Sequence, residues 1–280
     1  MAHTYLPILS VAGSDSSGGA GIQADIKTIS ALGCYAMTAI TALTAQNTLG
    51  VTAIQVADPE MVEAQIDMVF SDIRPLAVKI GMLGNGDVAA SVARALARNE
   101  ARNVVLDPVL YATSGANLAG DDAFAPMKEG IFPISCVITP NLDEARTLAG
   151  LAAGDATAEK DELVEIVGRL QADGARAVLI TGVESADEPD KIVNWLFPAG
   201  SREGVAIPST KIDTPNTHGT GCTLSSAIAS YLGRGSALAT ACIEATGYVH
   251  SAIQAGARAQ IGRGHGPVNH FFDPRKLIML

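Results

Sequence analysis

Residues 6–46 read LPILSVAGSDSSGGAGIQADIKTISALGCYAMTAITALTAQ. Leu6–Ala12 is a short apolar run ending in glycine, the pattern of a buried strand. Gly18-Gly19-Ala20-Gly21 then opens a segment with Ile22, Ile26, Ile29 and Leu32 at helical spacing, and Gly33 stops it. Cys34–Ala45, rich in Thr, Ile and Ala, reads as the next strand. Strand, helix and strand in succession form a βαβ unit, whose two strands run parallel.

The same alternation continues along the chain. Val51–Val56, Ala77–Ile80, Val104–Leu106, Cys136–Ile138 and Ala177–Ile180 read as strands. Pro59 starts a helix with Met61, Ile66 and Val69–Phe70 on its apolar side, and Gly86–Arg98 stacks Val88, Val92 and Leu96. Another helix begins near Asn141, and a further one runs through Leu163, Ile166, Val167 and Leu170. Ile192–Phe197 and Gly204–Ile207 look like a hairpin, while Gly219 and Ser236 begin two last helices. No linker or repeat interrupts the pattern, so residues 1–280 are expected to form one α/β domain. Its expected architecture is three α/β/α layers around a central, mostly parallel sheet. Ligands in such sheets sit beyond the carboxyl ends of the strands. That singles out Gly13–Asp15, Gln46–Asn47, Gly81–Met82, Asp107, Asn141–Glu144, Thr181 and the loop at Gly219.

Composition narrows the function classes. The 280 residues hold 19 Lys and Arg against 29 Asp and Glu, a net charge of −10. Such a chain is a poor partner for nucleic acid or an anionic membrane surface. Hydrophobic residues are 48% and aromatics 4%, so the core is aliphatic. No long apolar run predicts a membrane span, and Met1–Pro7 shows no signal-peptide pattern. Cys34, Cys136, Cys222 and Cys242 lack zinc or disulfide spacing, which points to reduced thiols and a cytoplasmic setting.

Three loops carry chemistry. Gly19–Ala24 matches the loose dinucleotide fingerprint, but Thr38–Ala57 contains no acid to hold a ribose, which argues against a nicotinamide-dependent oxidoreductase. The loop reads better as backbone brought close to a ligand, with Asp25 and Gln46 presenting an acceptor and an amide; Asp25 also reads as a first-turn carboxylate favoured by the helix dipole. Thr217-His218-Gly219-Thr220-Gly221-Cys222-Thr223 precedes an apolar helix, whose free N–H groups and dipole suit phosphate; it also reads as an ordinary glycine-containing cap. Cys222, in that helix's first turn, is expected to have a lowered thiol pKa and to be able to accept a proton. Asn141 and Glu144 fit a capping box, while Glu144 and Asp107 also fit a carboxylate pair holding Mg²⁺ beside ATP. Ser114-Gly115-Ala116 and Thr181–Asp190 have the composition of mobile loops.

Taken together, Ala12–Gln46, Lys79–Met82, Val105–Val109, Thr139–Ala145, Asn216–Thr223 and Gly264–His270 resemble the hydroxymethylpyrimidine/phosphomethylpyrimidine kinases of thiamine biosynthesis, in the ribokinase-like superfamily. The resemblance implies ATP-dependent phosphorylation of 4-amino-5-hydroxymethyl-2-methylpyrimidine and of its monophosphate, usually by a homodimer. It also implies that Asp25 and Gln46 bond the aminopyrimidine, and that Gly13, Ala20, Met82 and Val109 line its pocket. Gly219, Thr220, Gly221 and Cys222 form an anion hole in this reading. Asn141 and Thr181 lie on the nucleotide, and Asp107 and Glu144 support Mg²⁺. One departure stands out. Where many relatives carry Lys-Gly-Gly-His, this chain has Thr181-Gly182-Val183-Glu184, which keeps pyridoxal phosphorylation open as an alternative. A pyrimidine-binding protein without activity is a further possibility.

Overall fold

The computed structural model describes residues 4–110 and 121–279, so Ser114-Gly115-Ala116 lie outside the described residues. The opening unit is β1 (Pro7–Asp15), α1 (Gly21–Ala31) and β2 (Tyr35–Asn47), with β1 and β2 parallel from the Pro7–Tyr35 pair onward. The chain goes on through β3 (Gly50–Val56), α2 (Pro59–Asp72), β4 (Ala77–Ile80), α3 (Gly86–Arg98) and β5 (Val104–Leu106). Short helical turns between 121 and 134 include α4 (Phe124–Pro126), a stretch the sequence pattern did not foretell. Next come β6 (Ser135–Ile138), α5 (Leu142–Leu148), α6 (Lys160–Ala172), β7 (Ala177–Glu184), β8 (Lys191–Phe197), β9 (Val205–Thr210), α7 (Thr220–Gly233) and α8 (Leu238–Gly256).

One sheet of nine strands has the order β3-β2-β1-β4-β5-β6-β7-β8-β9. Neighbours from β2 across to β7 are parallel, while β3, β8 and β9 are antiparallel additions at the two edges. This is the expected α/β, three-layer, ribokinase-like architecture. Alternation along the strands sorts the core. Leu9, Val11, Val78 and Ile80 point to α2, α3, α5 and α6, whereas Ile8, Ala77 and Val105 point to α1, α7 and α8. Burial of both faces explains why the central strands are almost continuously apolar.

Two details correct the sequence reading. Ile26 and Met61 are exposed, and α1 buries Ala24, Asp25 and Thr28 alongside Ile22 and Ile29. Thr181–Glu184 is not a loop but the end of β7, where Glu184 bridges Thr157. The pairing with β8 slips between Ile180 and Val183, and Gly182 there adopts a left-handed φ of 72°. On the other side of β7, Thr181 stays in the parallel register with the segment after β6: it bridges Asn141, and its N–H donates to the Pro140 carbonyl at 2.9 Å. No described helix is long and apolar enough to cross a membrane.

Candidate active site

The singled-out residues gather at one edge of the sheet, but two glycine-rich helix starts there behave differently. Before α1, the loop amides are already occupied. Asp15 Oδ1 accepts the Ser17 N–H at 2.8 Å and its hydroxyl at 2.7 Å, and Oδ2 accepts the amides of Gly19 at 3.0 Å and Ala20 at 2.8 Å. His218 Nε2 lies 2.9 Å from the same Oδ2. Burial works against a charged carboxyl, yet His218, Ser17 and Ala20 together hold Asp15 well below the usual carboxylate range. The loop has filled its own anion site, which excludes a dinucleotide phosphate there.

The start of α7 is open. Gly219 takes a left-handed φ of 82°, and a Cβ there would strike the Gly19 carbonyl. It supplies no capping side chain, so the amides of Gly221 and Cys222 have no side-chain acceptor. Thr223 fixes the turn behind them: its hydroxyl donates to the Gly219 carbonyl at 2.8 Å and lies 3.1 Å from His270 Nε2. Burial pushes His270 down to about 4, so it is neutral near pH 7 and can donate that Nε2 proton.

A cavity of about 730 Å³ begins at this opening. Thr220 and Gly221 line one end, Thr181 and Gly182 lie beside them, and β8, β9 and α8 form the rest. Asn194 braces its floor, accepting the Gly182 N–H at 3.0 Å and donating to Thr246 at 3.1 Å. On the other side of α7, Met82 is buried with Ala42, and Val51 and Val109 pack on the pair. Gly13 packs against Met82: a Cβ there would come 2.9 Å from Met82 Sδ. Gln46 stands near this wall with its Nε2 3.4 Å from His218 Nε2.

Two acids lie beneath the opening. Asp107 follows β5 and accepts the Ser225 hydroxyl at 3.1 Å. Burial pushes its carboxyl up to about 6, against the pull of Lys79. Glu144 completes the expected capping box with Asn141 and accepts the Leu110 N–H at 3.3 Å. Burial, and then the nearby Asp107 charge, push it up to about 8. Capping and proximity to the site therefore coexist. Two buried carboxyls, of which the Asp107 charge raises the Glu144 pKa, fit one added divalent cation. Among the described residues no group of three or more such ligands occurs, so phosphate or water oxygens must complete its shell.

Comparison with known proteins decides what this cleft belongs to. The family model for phosphomethylpyrimidine kinase matches residues 15–269. The chain belongs to the phosphomethylpyrimidine kinase family. It is 48% identical over 265 residues to the hydroxymethylpyrimidine/phosphomethylpyrimidine kinase of Rhizobium meliloti, covering 94% of this chain and 96% of that relative. The crystal structure of phosphomethylpyrimidine kinase from Clostridium difficile superimposes with a TM-score of 0.74 at 36% identity, over 88% of this chain and 99% of that one. An ADP complex of Bacillus subtilis pyridoxal kinase superimposes with a TM-score of 0.84 at 32% identity, over 95% and 98% of the two chains. The chain is thus a phosphotransferase that uses ATP.

Two expectations about this kinase's site need correction. Asp25 is neither a first-turn carboxylate nor free to present an acceptor. It is fully buried: Oδ2 accepts the Ser10 hydroxyl at 2.6 Å and Lys79 Nζ at 3.0 Å, and Oδ1 accepts the Ser226 hydroxyl at 2.7 Å. Burial disfavours the Lys79 ammonium, but the Asp25 carboxylate 3.0 Å away more than offsets this and keeps it protonated. The Cys222 thiol, expected to be lowered by the helix start, is instead pushed up to about 12 by burial, which outweighs the attraction of Lys79. Sequence reasoning placed Asp15 and His218 in candidate loops but gave no role to either, nor to Lys79 or His270. A lysine inside the fully buried run Ala77–Ile80 was the signal available for Lys79.

Proposed function

We propose that this kinase transfers phosphate from ATP to the hydroxymethyl group of 4-amino-5-hydroxymethyl-2-methylpyrimidine, and then to the resulting monophosphate. The observation that carries the reading is the contrast between the two helix starts: the one at α1 is filled by Asp15, and the one at α7 is open onto the cavity. Backbone N–H groups of Gly219, Thr220, Gly221 and Cys222 receive the charge that develops on the transferred phosphoryl group. ATP lies in the cavity, with Thr181 and Asn141 beside its phosphates. Asp107 and Glu144 hold Mg²⁺, which neutralises phosphate charge when bound.

Gly13, Ala20, Met82 and Val109 wall the pyrimidine, and the Gln46 amide bonds its polar edge. Asp25 acts from below, by holding Lys79 beneath the first turn of α7. The Cys222 thiol stays protonated and serves as a contact near the attacking oxygen. We further propose one catalytic domain over residues 1–280, and a homodimer in the cytoplasm. Exposed Leu43, Leu49 and Ile54 on the β2–β3 hairpin support a covering second copy.

Thr181, in the place of the lysine common among relatives, and the close superposition on a pyridoxal kinase favour a second reading, with pyridoxal as substrate. Parallel assays of both compounds decide between them. A higher kcat/KM for the hydroxymethylpyrimidine is expected, and a higher value for pyridoxal would overturn the assignment.

A further inference from the structure

The anion hole and the pyrimidine wall come from opposite ends of the chain, yet one carboxylate ties them together. Asp15 gathers the Ser17, Gly19 and Ala20 amides and the Ser17 hydroxyl from its own loop. Its remaining neighbour is His218, which immediately precedes Gly219. Both side chains are buried, at 3% exposure for Asp15 and 8% for His218. Facing a carboxylate held ionised by this many donors, His218 Nε2 must carry a hydrogen and donate it. The contact is supported on both sides. The His218 N–H donates to the Gly266 carbonyl at 3.0 Å, and a Cβ at Gly19 would strike the His218 ring. Gly219 itself rests on the Gly19 carbonyl.

We infer that Asp15 and His218 are positioning residues that lock the loop 15–20 in register with the anion hole. The inference rests on the proposed pyrimidine kinase activity for its catalytic consequence. Neither residue touches the transferred phosphoryl group. The lock sets the distance between two half-sites, one holding the hydroxymethyl group and the other the γ-phosphate. Each half keeps its own binding groups when the lock is lost. The loss therefore falls on the alignment of the bound substrates, and so on kcat, with KM for either substrate little changed. Misplacement by about 1 Å is enough for a loss of about 10²-fold.

The test compares His218→Leu, which has no donor, with His218→Gln, whose side-chain amide can still reach Asp15. Both are made in the full chain. Kinetics with hydroxymethylpyrimidine and Mg–ATP are paired with hydrogen exchange at Gly19 and Ala20 in one loop and at His218 in the other, whose amides donate to Asp15 and to the Gly266 carbonyl. His218→Leu is expected to lose about 10²-fold in kcat, keep both KM values and speed exchange in both loops together. His218→Gln is expected to recover most of the rate and the slow exchange. Full activity in His218→Leu would overturn the inference, as would a Gln variant no better than Leu. If Leu fails to fold, Asp15→Asn serves in its place, with the same expected kcat loss and the same overturning result. If the unmutated chain transferred no phosphate to the pyrimidine, the substrate assignment would fall; unchanged exchange in both loops of His218→Leu would then overturn the lock, and joint acceleration reversed by Gln would support it.

Discussion

Cys222 shows how a local motif and its surroundings can disagree. A helix start lowers a thiol pKa when the thiol is solvated, but here burial prevails and leaves it at about 12. At neutral pH almost no thiolate is present to act as a base. A loose phosphoryl-transfer transition state also asks little of one. Cys222→Ala is therefore expected to slow both phosphorylation steps by similar amounts, no more than about tenfold, where removal of a general base would cost about 10²–10⁴. Rate measurements with the alcohol and the monophosphate check this; a large loss confined to the alcohol would restore the base role. Asp107 and Glu144 give a second expectation. Both carboxyls are raised in the folded chain, to about 6 and about 8. Their stabilising effect is present below the ordinary carboxylate range and is lost as pH rises through those values. The metal-free protein should melt at a higher temperature at pH 6 than at pH 8, and saturating Mg²⁺, which favours the charged forms, should narrow the gap. A gap that Mg²⁺ leaves unchanged would contradict the assignment of these two acids to the metal.

Lys79 on β4, Asp25 on α1 and Ser226 on α7 bind three elements through one buried ion pair. Removing only the lysine strands a buried carboxylate, so Lys79→Met should cost about 3–5 kcal/mol in urea unfolding, and adding Asp25→Leu should recover most of it. A single variant as stable as the parent would show that the pair is not what joins these elements. The pair also marks where reading the sequence stopped. Strands β4 and β5 and helix α3 were legible to the residue, because apolar runs and hydrophobic spacing depend only on neighbours in the chain. The helical face of α1 was misjudged at Ile26, because the partner that makes Asp25 an interior residue lies 54 positions away. The site was legible in the same measure. Gly219–Cys222 reads as an anion-binding turn from local chemistry alone. The filling of the other glycine-rich loop by Asp15 does not, because the serines and glycines that signal a free backbone look the same whether or not a carboxylate folds back on them.

Across the whole molecule, the net charge of −10 is reconciled with phosphate ligands by separation. The amides of α7 are uncharged donors, and Asp107 and Glu144 are raised carboxyls, which carry less negative charge than free ones would. One sheet carries both half-sites, so their alignment depends on the fold rather than on a hinge between domains. The apolar side chains left on the β2–β3 hairpin, Leu43, Leu49 and Ile54, lead to an expectation about assembly. Sedimentation should give twice the chain mass of 28.7 kDa, and Leu49→Glu with Ile54→Lys should shift the protein toward the single-chain value. A parent protein that sediments as one chain at every concentration would contradict the homodimer. The most direct measurement is a time course with ATP, Mg²⁺ and hydroxymethylpyrimidine in which mono- and diphosphate are resolved. The account predicts that monophosphate appears first and is then converted to diphosphate by the same protein. ATP-dependent transfer to neither the alcohol nor the monophosphate would contradict it.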